Sequence, residues 1–236
     1  MLPQDAPPTC PGSGRVPHPH HFVRLTVISA WGLIDRQPRT CRSSQLLESC
    51  SVSWLEGYVP KSEAEHADVA RVALELLDHG DVWARSTPLH VTGSALVVHP
   101  PTQRVLLRWH ERYGIWNHVG GHADDDERDP WVIALREAQE ETGLRDLRPF
   151  PGPEPAIVFI EIVPVPAARG EADHEHADVN YLLATDSPDA IADEHADAEL
   201  RWLPLEVART MVNFHVAPLL DRIGDILRSP CGYESL

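Results

Sequence analysis

Cysteine is scarce in this 236-residue chain: Cys10, Cys41, Cys50 and Cys231 are the whole complement, and none lies between residues 60 and 230. No CxxC pair of the zinc-binding kind occurs, and a disulfide framework is not expected, which leaves a single Cys41–Cys50 bridge as the one open pairing. Basic residues are also few. Lys and Arg number 20 against 36 Asp and Glu, for a net charge of −16, and this disfavours a general nucleic-acid binder, whose phosphate contacts need clustered cations. A small polyanionic substrate is not excluded, because a bound divalent cation reverses the local sign of a carboxylate-rich site. Long apolar runs are missing as well: none approaches the roughly 20 residues of a membrane span. The N-terminus has no Lys/Arg-led apolar run ending in small residues, so it does not read as a signal peptide, and a reducing cytoplasm is the expected compartment. No internal repeat is apparent.

With 42% hydrophobic and 24% charged residues, the composition is that of one soluble globular domain with extensions. Residues 1–55 differ in texture, with prolines, serines, the run His18-Pro19-His20-His21, three of the four cysteines, and five arginines against three acids. Only Phe22 to Leu33 there could form a strand or short helix. The segment reads as a poorly ordered extension, with metal binding by its histidines as the weaker alternative. The expected division is therefore an extension over 1–55, a domain over 56–228 and a tail over 229–236.

Within the domain, Ser62 to His79 reads as a helix capped by Ser62 and stopped by Gly80, with Val69, Val72, Ala73, Leu76 and Leu77 on its apolar face. Strands are expected at His90–Val98 and Arg104–Trp109 around a Pro100-Pro101 turn, then at Ala156–Val165, Val179–Ala184 and Glu199–Leu203. Helices are expected from about Pro130 to Thr142, Pro204 to Met211 and Val216 to Leu227. The order β-β-α-β-β-β-α-α implies a mixed sheet with helices on both sides.

The chemistry is concentrated near the central helix. At about 100° per residue, Glu137, Glu140 and Glu141 fall within one face, while Trp131, Ala134, Leu135, Ala138 and Thr142 fall on the other. Such a helix packs on a sheet and presents three carboxylates together. An acidic solvated face would do the same, but like charges at these spacings repel and call for a cation. An all-oxygen cluster suits Mg²⁺ or Mn²⁺. Arg136 is placed to pair with Glu140, Gly143 to stop the helix, and Gly120-Gly121 to allow close backbone approach just before it.

Gly121, Glu127, Arg136, Glu137, Glu140, Glu141, Gly143 and Leu144 together resemble the Nudix box, a glycine followed by Glu and then Arg-Glu-x-x-Glu-Glu-x-Gly-hydrophobic. The stretch Arg128 to Leu135, between Glu127 and Arg136, is one residue longer than the box has, so Glu127 carries the least secure role. Val119 also stands where the usual Trp-x-x-Pro-Gly-Gly lead-in has proline. The resemblance implies an α/β Nudix sandwich (α/β/α, mixed sheet) over about residues 60–228. It also implies up to about three Mg²⁺ ions, with Mn²⁺ as a substitute, on Glu137, Glu140, Glu141 and the Gly121 carbonyl. Glu140, Glu141 and Arg136 would be catalytic, and hydrolysis of the diphosphate linkage of a nucleoside diphosphate derivative is the implied reaction. The family's general base varies. Glu194, in Asp193-Glu194-His195, is the candidate among later-loop acids, with His195 as its alternative.

Gly120, His122, Arg108 and Arg112 flank the box and are candidate substrate contacts. His174-Glu175-His176-Ala177-Asp178 reads as a solvated loop, or as residues reaching substrate or a second metal. Trp109, Tyr113, Trp116 and Trp202 either stack on a base or fill the core, with packing favoured for Trp109 and Trp202. The expected partner is a small diphosphate, without nucleic acid or membrane, and the resemblance leaves room for a homodimer. Two other readings stay open: a non-catalytic Nudix ligand-binding or sensor module, and an isopentenyl-diphosphate-isomerase-like enzyme. The isomerase needs a cysteine where this chain has Gly120.

Overall fold

The computed structural model describes residues 53–78, 81–168, 170–195 and 198–228. The readings for Phe22–Leu33, the histidine run, Cys41–Cys50, the Gly80 helix stop and the tail lie outside the described residues.

Helix α1 spans Glu63–Asp78, and Ser62 Oγ accepts the Glu65 N–H at 3.1 Å as the cap. Strands β1 (Leu89–His99) and β2 (Arg104–His110) follow, with Pro100–Thr102 as a 3₁₀ turn between them. Two short strands not expected from the sequence come next, β3 (Ile115–Asn117) and β4 (Val119–His122). Helix α2 spans Pro130–Thr142, where it was expected: Asp129 caps it by accepting the Trp131 N–H at 2.9 Å, Pro130 begins it, and Gly143 ends it at φ 73°. The remaining elements are β5 (Arg148–Pro149), β6 (Ile157–Val165), β7 (His174–Ala184), β8 (Leu200–Pro204), α3 (Leu205–Met211) and α4 (Val216–Arg228). Among the described residues no helix is long and apolar enough to cross a membrane.

Strand β1 joins the two halves of the sheet, pairing with β2, β4 and β7. Its C-terminal part pairs antiparallel with β2 (Val97↔Leu106), its middle pairs antiparallel with β4 (Ser94↔Gly120), and its whole length runs parallel to β7 (His90↔His176 through Val98↔Ala184). Strands β3 and β8 flank β2, and β5 and β6 flank β7. Pleating sends alternate residues to opposite faces. Val91, Ala95, Val97, Val119, Ala177, Val179 and Leu183 join one core with Val72 and Leu76 of α1 and Ile133, Ala134 and Ala138 of α2. Leu96, Val98, Val105, Leu107 and Leu182 join a second core with Ala208 of α3 and Leu219, Leu220 and Ile223 of α4. The result is a mixed sheet between two helical layers, the α/β sandwich expected. Leu77, assigned to the apolar face of α1, is instead 74% exposed at the end of the helix.

One buried ion pair ties the layers together. Glu65, 2% exposed, accepts from Arg222 Nη1 at 2.9 Å and Nη2 at 2.7 Å, from the Lys61 N–H at 2.7 Å and from the Tyr58 hydroxyl. Arg222 also donates to the Val158 carbonyl at 2.6 Å. Burial by itself raises the Glu65 carboxyl, but the hydrogen bonds from Arg222 and Tyr58 outweigh it and hold the group below its ordinary value. Truncating one partner strands the other's charge, so Arg222→Ala should lose about 3–5 kcal/mol of unfolding free energy in urea, and the double replacement Glu65→Leu/Arg222→Leu should lose less than the single one. A single variant as stable as wild type would show that the pair does not organise these layers.

Candidate functional site

Helix α2 lies against β1 and β4, and the approach is close enough to exclude side chains. A Cβ on Gly121 would collide with Glu137 Oε1 and come within 2.6 Å of its Cδ. The three glutamates therefore do not point outward together, as the helical wheel suggested. Glu137 and Glu141 turn in against β4, with side chains 17% and 13% exposed, while Glu140 is 54% exposed. Glu141 Oε2 accepts the Gly120 N–H at 3.0 Å.

Arg136 is the hub of this cluster. Its guanidinium donates twice to Glu127, at 2.9 Å each, to Glu137 and Glu140 at 3.0 Å each, and to the His122 carbonyl at 2.8 Å. Despite the extra residue between them, Glu127 stays within this cluster through its two bonds from Arg136, and its Oε2 also accepts the Asp124 N–H at 2.9 Å. Arg108 serves the other side: it sits 3.2 Å from Glu141 and 3.2 Å from Glu194. The site thus brings together Glu127, Arg136, Glu137, Glu140, Glu141, Arg108, Glu194 and the Gly120-Gly121 backbone. His195 is 66% exposed and 3.5 Å from Glu194. Arg112 is apart, paired with Glu171 at 3.3 Å.

Burial is the main electrostatic effect here. It pushes the Glu141 carboxyl up to about 7, against the lowering by Arg108 and the Gly120 N–H, and it raises Glu137 against the lowering by Arg136. Glu127 moves the other way, held low by its hydrogen bonds from Arg136. Crowded, partly desolvated carboxylates of this kind are ionised together most easily when a cation lies between them.

On the opposite side of β4, a cleft of about 500 Å³ is lined by residues from β1, β3, β4, β6 and β7, among them Thr92, Asn117, Gly121, Glu161, His176 and Asp178. Its floor was missed from the sequence. Asp178, 6% exposed, accepts from Thr92 and Ser94 at 2.7 Å each and from Asn180 at 3.1 Å. The stretch read as a loop from His174 is the first half of β7. The signal was present, since His174, His176, Asp178 and Asn180 alternate with Ala177, Val179 and Tyr181 in a strand period. Trp109 and Trp116 pack edge to face at 5.5 Å between centroids, and Trp202 donates to the Pro188 carbonyl at 2.8 Å, so these rings serve the sheet. Tyr113 is 44% exposed and stacks on His110.

Glu161 and His215 form a contact of 3.0 Å in this cleft. Burial, with Asp178 and Asp68 nearby, pushes the Glu161 carboxyl up to about 9, and burial lowers His215. Both shifts point to a neutral pair in which the carboxyl O–H donates to the imidazole Nδ1. A carboxyl raised on folding stabilises the protein below its unfolded value of roughly 4.5, and that contribution fades as pH rises towards about 9. Glu161→Gln keeps an amide donor and removes the titration. The melting temperature of this variant relative to wild type should climb between about pH 6 and about pH 9, whereas a constant difference would show that Glu161 is ionised throughout.

The family model described as NUDIX domain matches residues 88–223. Among curated proteins, the CMP-5'-(N-acetyl-N-hydroxy-3-aminopropyl)phosphonate hydrolase of Streptomyces rubellomurinus is 31% identical over 153 residues, or 62% of this chain. The chain spans 64% of that relative's length. Among solved structures, the C. elegans Ap4A hydrolase binary complex aligns at 20% identity with a TM-score of 0.46, over 58% of this chain and 96% of that one. The E. coli dihydroneopterin triphosphate pyrophosphohydrolase aligns at 16% identity and a TM-score of 0.43, over 56% and 92% respectively.

Proposed function

The chain belongs to the NUDIX domain family, and on that premise we propose that it is a Mg²⁺-dependent pyrophosphohydrolase that splits the diphosphate linkage of a nucleoside diphosphate derivative. The observation that carries this reading is the packing of Glu137 and Glu141 against the Gly120-Gly121 backbone, with Arg136 gripping Glu127, Glu137 and Glu140 around them. The catalytic unit we assign is the expected domain over residues 56–228, onto whose core Trp54 and Leu55 also pack.

The donor set fits the ion. Glu137, Glu140, Glu141 and the Gly121 carbonyl offer only oxygen, which suits Mg²⁺ and its substitute Mn²⁺ and leaves room for water and phosphate oxygens. When bound, such an ion neutralises charge on the diphosphate and acidifies a water.

The chain's own residues supply the rest. Arg136 fixes the glutamate rotamers, as its four side-chain and backbone partners require. Gly120 N–H and Arg108 orient Glu141 from two directions. Arg108 also holds Glu194, which places this acid on the same side as Glu141 and makes it our candidate base, with His195 beside it. One water adds across the anhydride: its oxygen bonds to phosphorus, the bond from that phosphorus to the bridging oxygen breaks, and the water proton passes to the base. Two phosphorylated products leave. Arg108, beside Glu141, and Arg112, on the cleft wall, are candidate phosphate contacts, and the cleft beyond Gly120 and His122 offers Asn117, His118 and Tyr113 to the rest of the substrate. The Streptomyces relative is named for a CMP-linked phosphonate, which supports a nucleotidyl anhydride as the substrate class.

Purified protein should hydrolyse at least one member of a panel of nucleoside triphosphates, nucleotide sugars, ADP-ribose, dinucleotides and CMP-linked phosphonates, followed by chromatography of the products. A chelator should abolish turnover and Mg²⁺ restore it. An intact panel in the presence of either Mg²⁺ or Mn²⁺ would sink the reading. Glu141→Gln should lower kcat by about 10² or more with circular dichroism unchanged. Gly121→Ala should also lose activity, because its methyl group displaces the Glu137 carboxylate. Wild-type turnover in both variants would remove the α2–β4 junction from the mechanism.

A further inference from the structure

The pleat places four histidines on one face at one end of the sheet: His90 on β1, His122 on β4, and His174 and His176 on β7. Each offers one ring nitrogen, and these four nitrogens all lie within 4.8 Å of one another. None of the four belongs to the carboxylate cluster, and His122 projects from β4 towards the cleft rather than towards α2.

The hydrogen bonds show which nitrogens face inward. His90 Nδ1 is 2.7 Å from the Thr87 carbonyl and His174 Nδ1 is 2.9 Å from the Ala172 carbonyl, so each Nδ1 carries the proton and each Nε2 carries a lone pair. A backbone acceptor behind the ring is the usual device for fixing a metal-binding tautomer. His176 Nε2 lies 3.2 Å from His122 Nε2 and 3.2 Å from His174 Nε2. A neutral imidazole nitrogen has one proton or one lone pair, so it cannot satisfy both neighbours with ordinary hydrogen bonds. His90 is 1% exposed, and its Nε2 is buried with no hydrogen-bond partner. The chain has thus gathered more imidazole lone pairs than it has protons to place between them.

A metal ion resolves this excess. With zinc–nitrogen bonds of about 2.0–2.1 Å, the edge of a tetrahedron of ligands is about 3.3–3.4 Å, close to the 3.2 Å between the paired nitrogens. We propose that His90, His122, His174 and His176 form a second metal site that takes a four-coordinate transition-metal ion of the zinc class, distinct from the oxygen-lined Mg²⁺ site. Imidazole nitrogen selects such ions over Mg²⁺. Four protein ligands leave no open position, so the site is structural: it clamps β4 to β1 and β7 immediately after Gly121. This assignment does not depend on the hydrolase reading.

Tag-free full-length protein, stripped with chelator and titrated with Co²⁺, tests it. One equivalent should produce the intense visible bands of tetrahedral cobalt, displaced by Zn²⁺ and untouched by excess Mg²⁺. Zn²⁺ should also raise the melting temperature, as any ligand of the folded state does. His176→Ala should lose the bands and weaken binding by more than about tenfold, the low end of what even an outer-shell partner contributes. His174→Ala, at the edge of the site, gives the same readout if the first variant does not fold. The bands should persist in Glu137→Gln/Glu141→Gln and in His18→Ala/His20→Ala/His21→Ala. A six-coordinate cobalt spectrum in wild type, wild-type binding by the β7 variants, or loss of the bands in either control would overturn the proposal.

Discussion

The close approach of α2 to β1 and β4 is the constraint on which the rest of the molecule depends. A Cβ on Gly93 would come within 2.8 Å of the Ala134 amide nitrogen, and one on Gly121 would displace Glu137. Because neither residue has a side chain, the helix sits directly on the sheet backbone. Its carboxylates then lie against the β4 backbone, Glu141 accepting the Gly120 N–H and Glu137 filling the space where a Gly121 side chain would stand. The same contact buries Glu137 and Glu141 far enough to raise both, and Arg136 and Arg108 keep them oriented.

Strand β4 is therefore a partition with different chemistry on its two sides. Towards α2 it meets hard oxygen donors and two arginines. Towards the cleft it presents His122 beside His90, His174 and His176, with Asp178, Glu161 and His215 further along. The alternation is a direct consequence of strand pleating, which sends Gly121 to one side and His122 to the other. Each side holds a group of like residues that is poorly satisfied by the chain alone. On one side the imbalance is in charge, on the other in lone pairs.

Much of this was legible from residue order. The span of α2, its Gly143 stop, the Arg136–Glu140 pair and the sandwich architecture followed from periodicity and from the resemblance in the box. Three features were less legible, for physical reasons. β3 and β4 are short, and the Gly-Gly pair in β4 has no side-chain alternation to reveal a strand. The wheel put Glu137, Glu140 and Glu141 on one face but carried no information about which of them would meet a neighbouring strand. The histidines come from three distant segments, at 90, 122 and 174–176, and the parallel register His90↔His176 with the antiparallel register Thr92↔His122 brings them together. Long-range strand pairing is set by tertiary packing, so no local pattern announced the cluster. Glu127 is the converse case: its spacing looked irregular, yet both of its carboxylate oxygens still accept from Arg136.

The central claim is that the junction of α2 with β4 is built to hold a divalent cation against a diphosphate. Anomalous diffraction from crystals of the chain grown with Mn²⁺ and a non-hydrolysable diphosphate analogue tests it most directly. The account predicts manganese peaks between Glu137, Glu140, Glu141 and the Gly121 carbonyl, with the analogue's phosphates beside them. Glutamates still paired to Arg136 and Arg108 with no peak at that junction would contradict it.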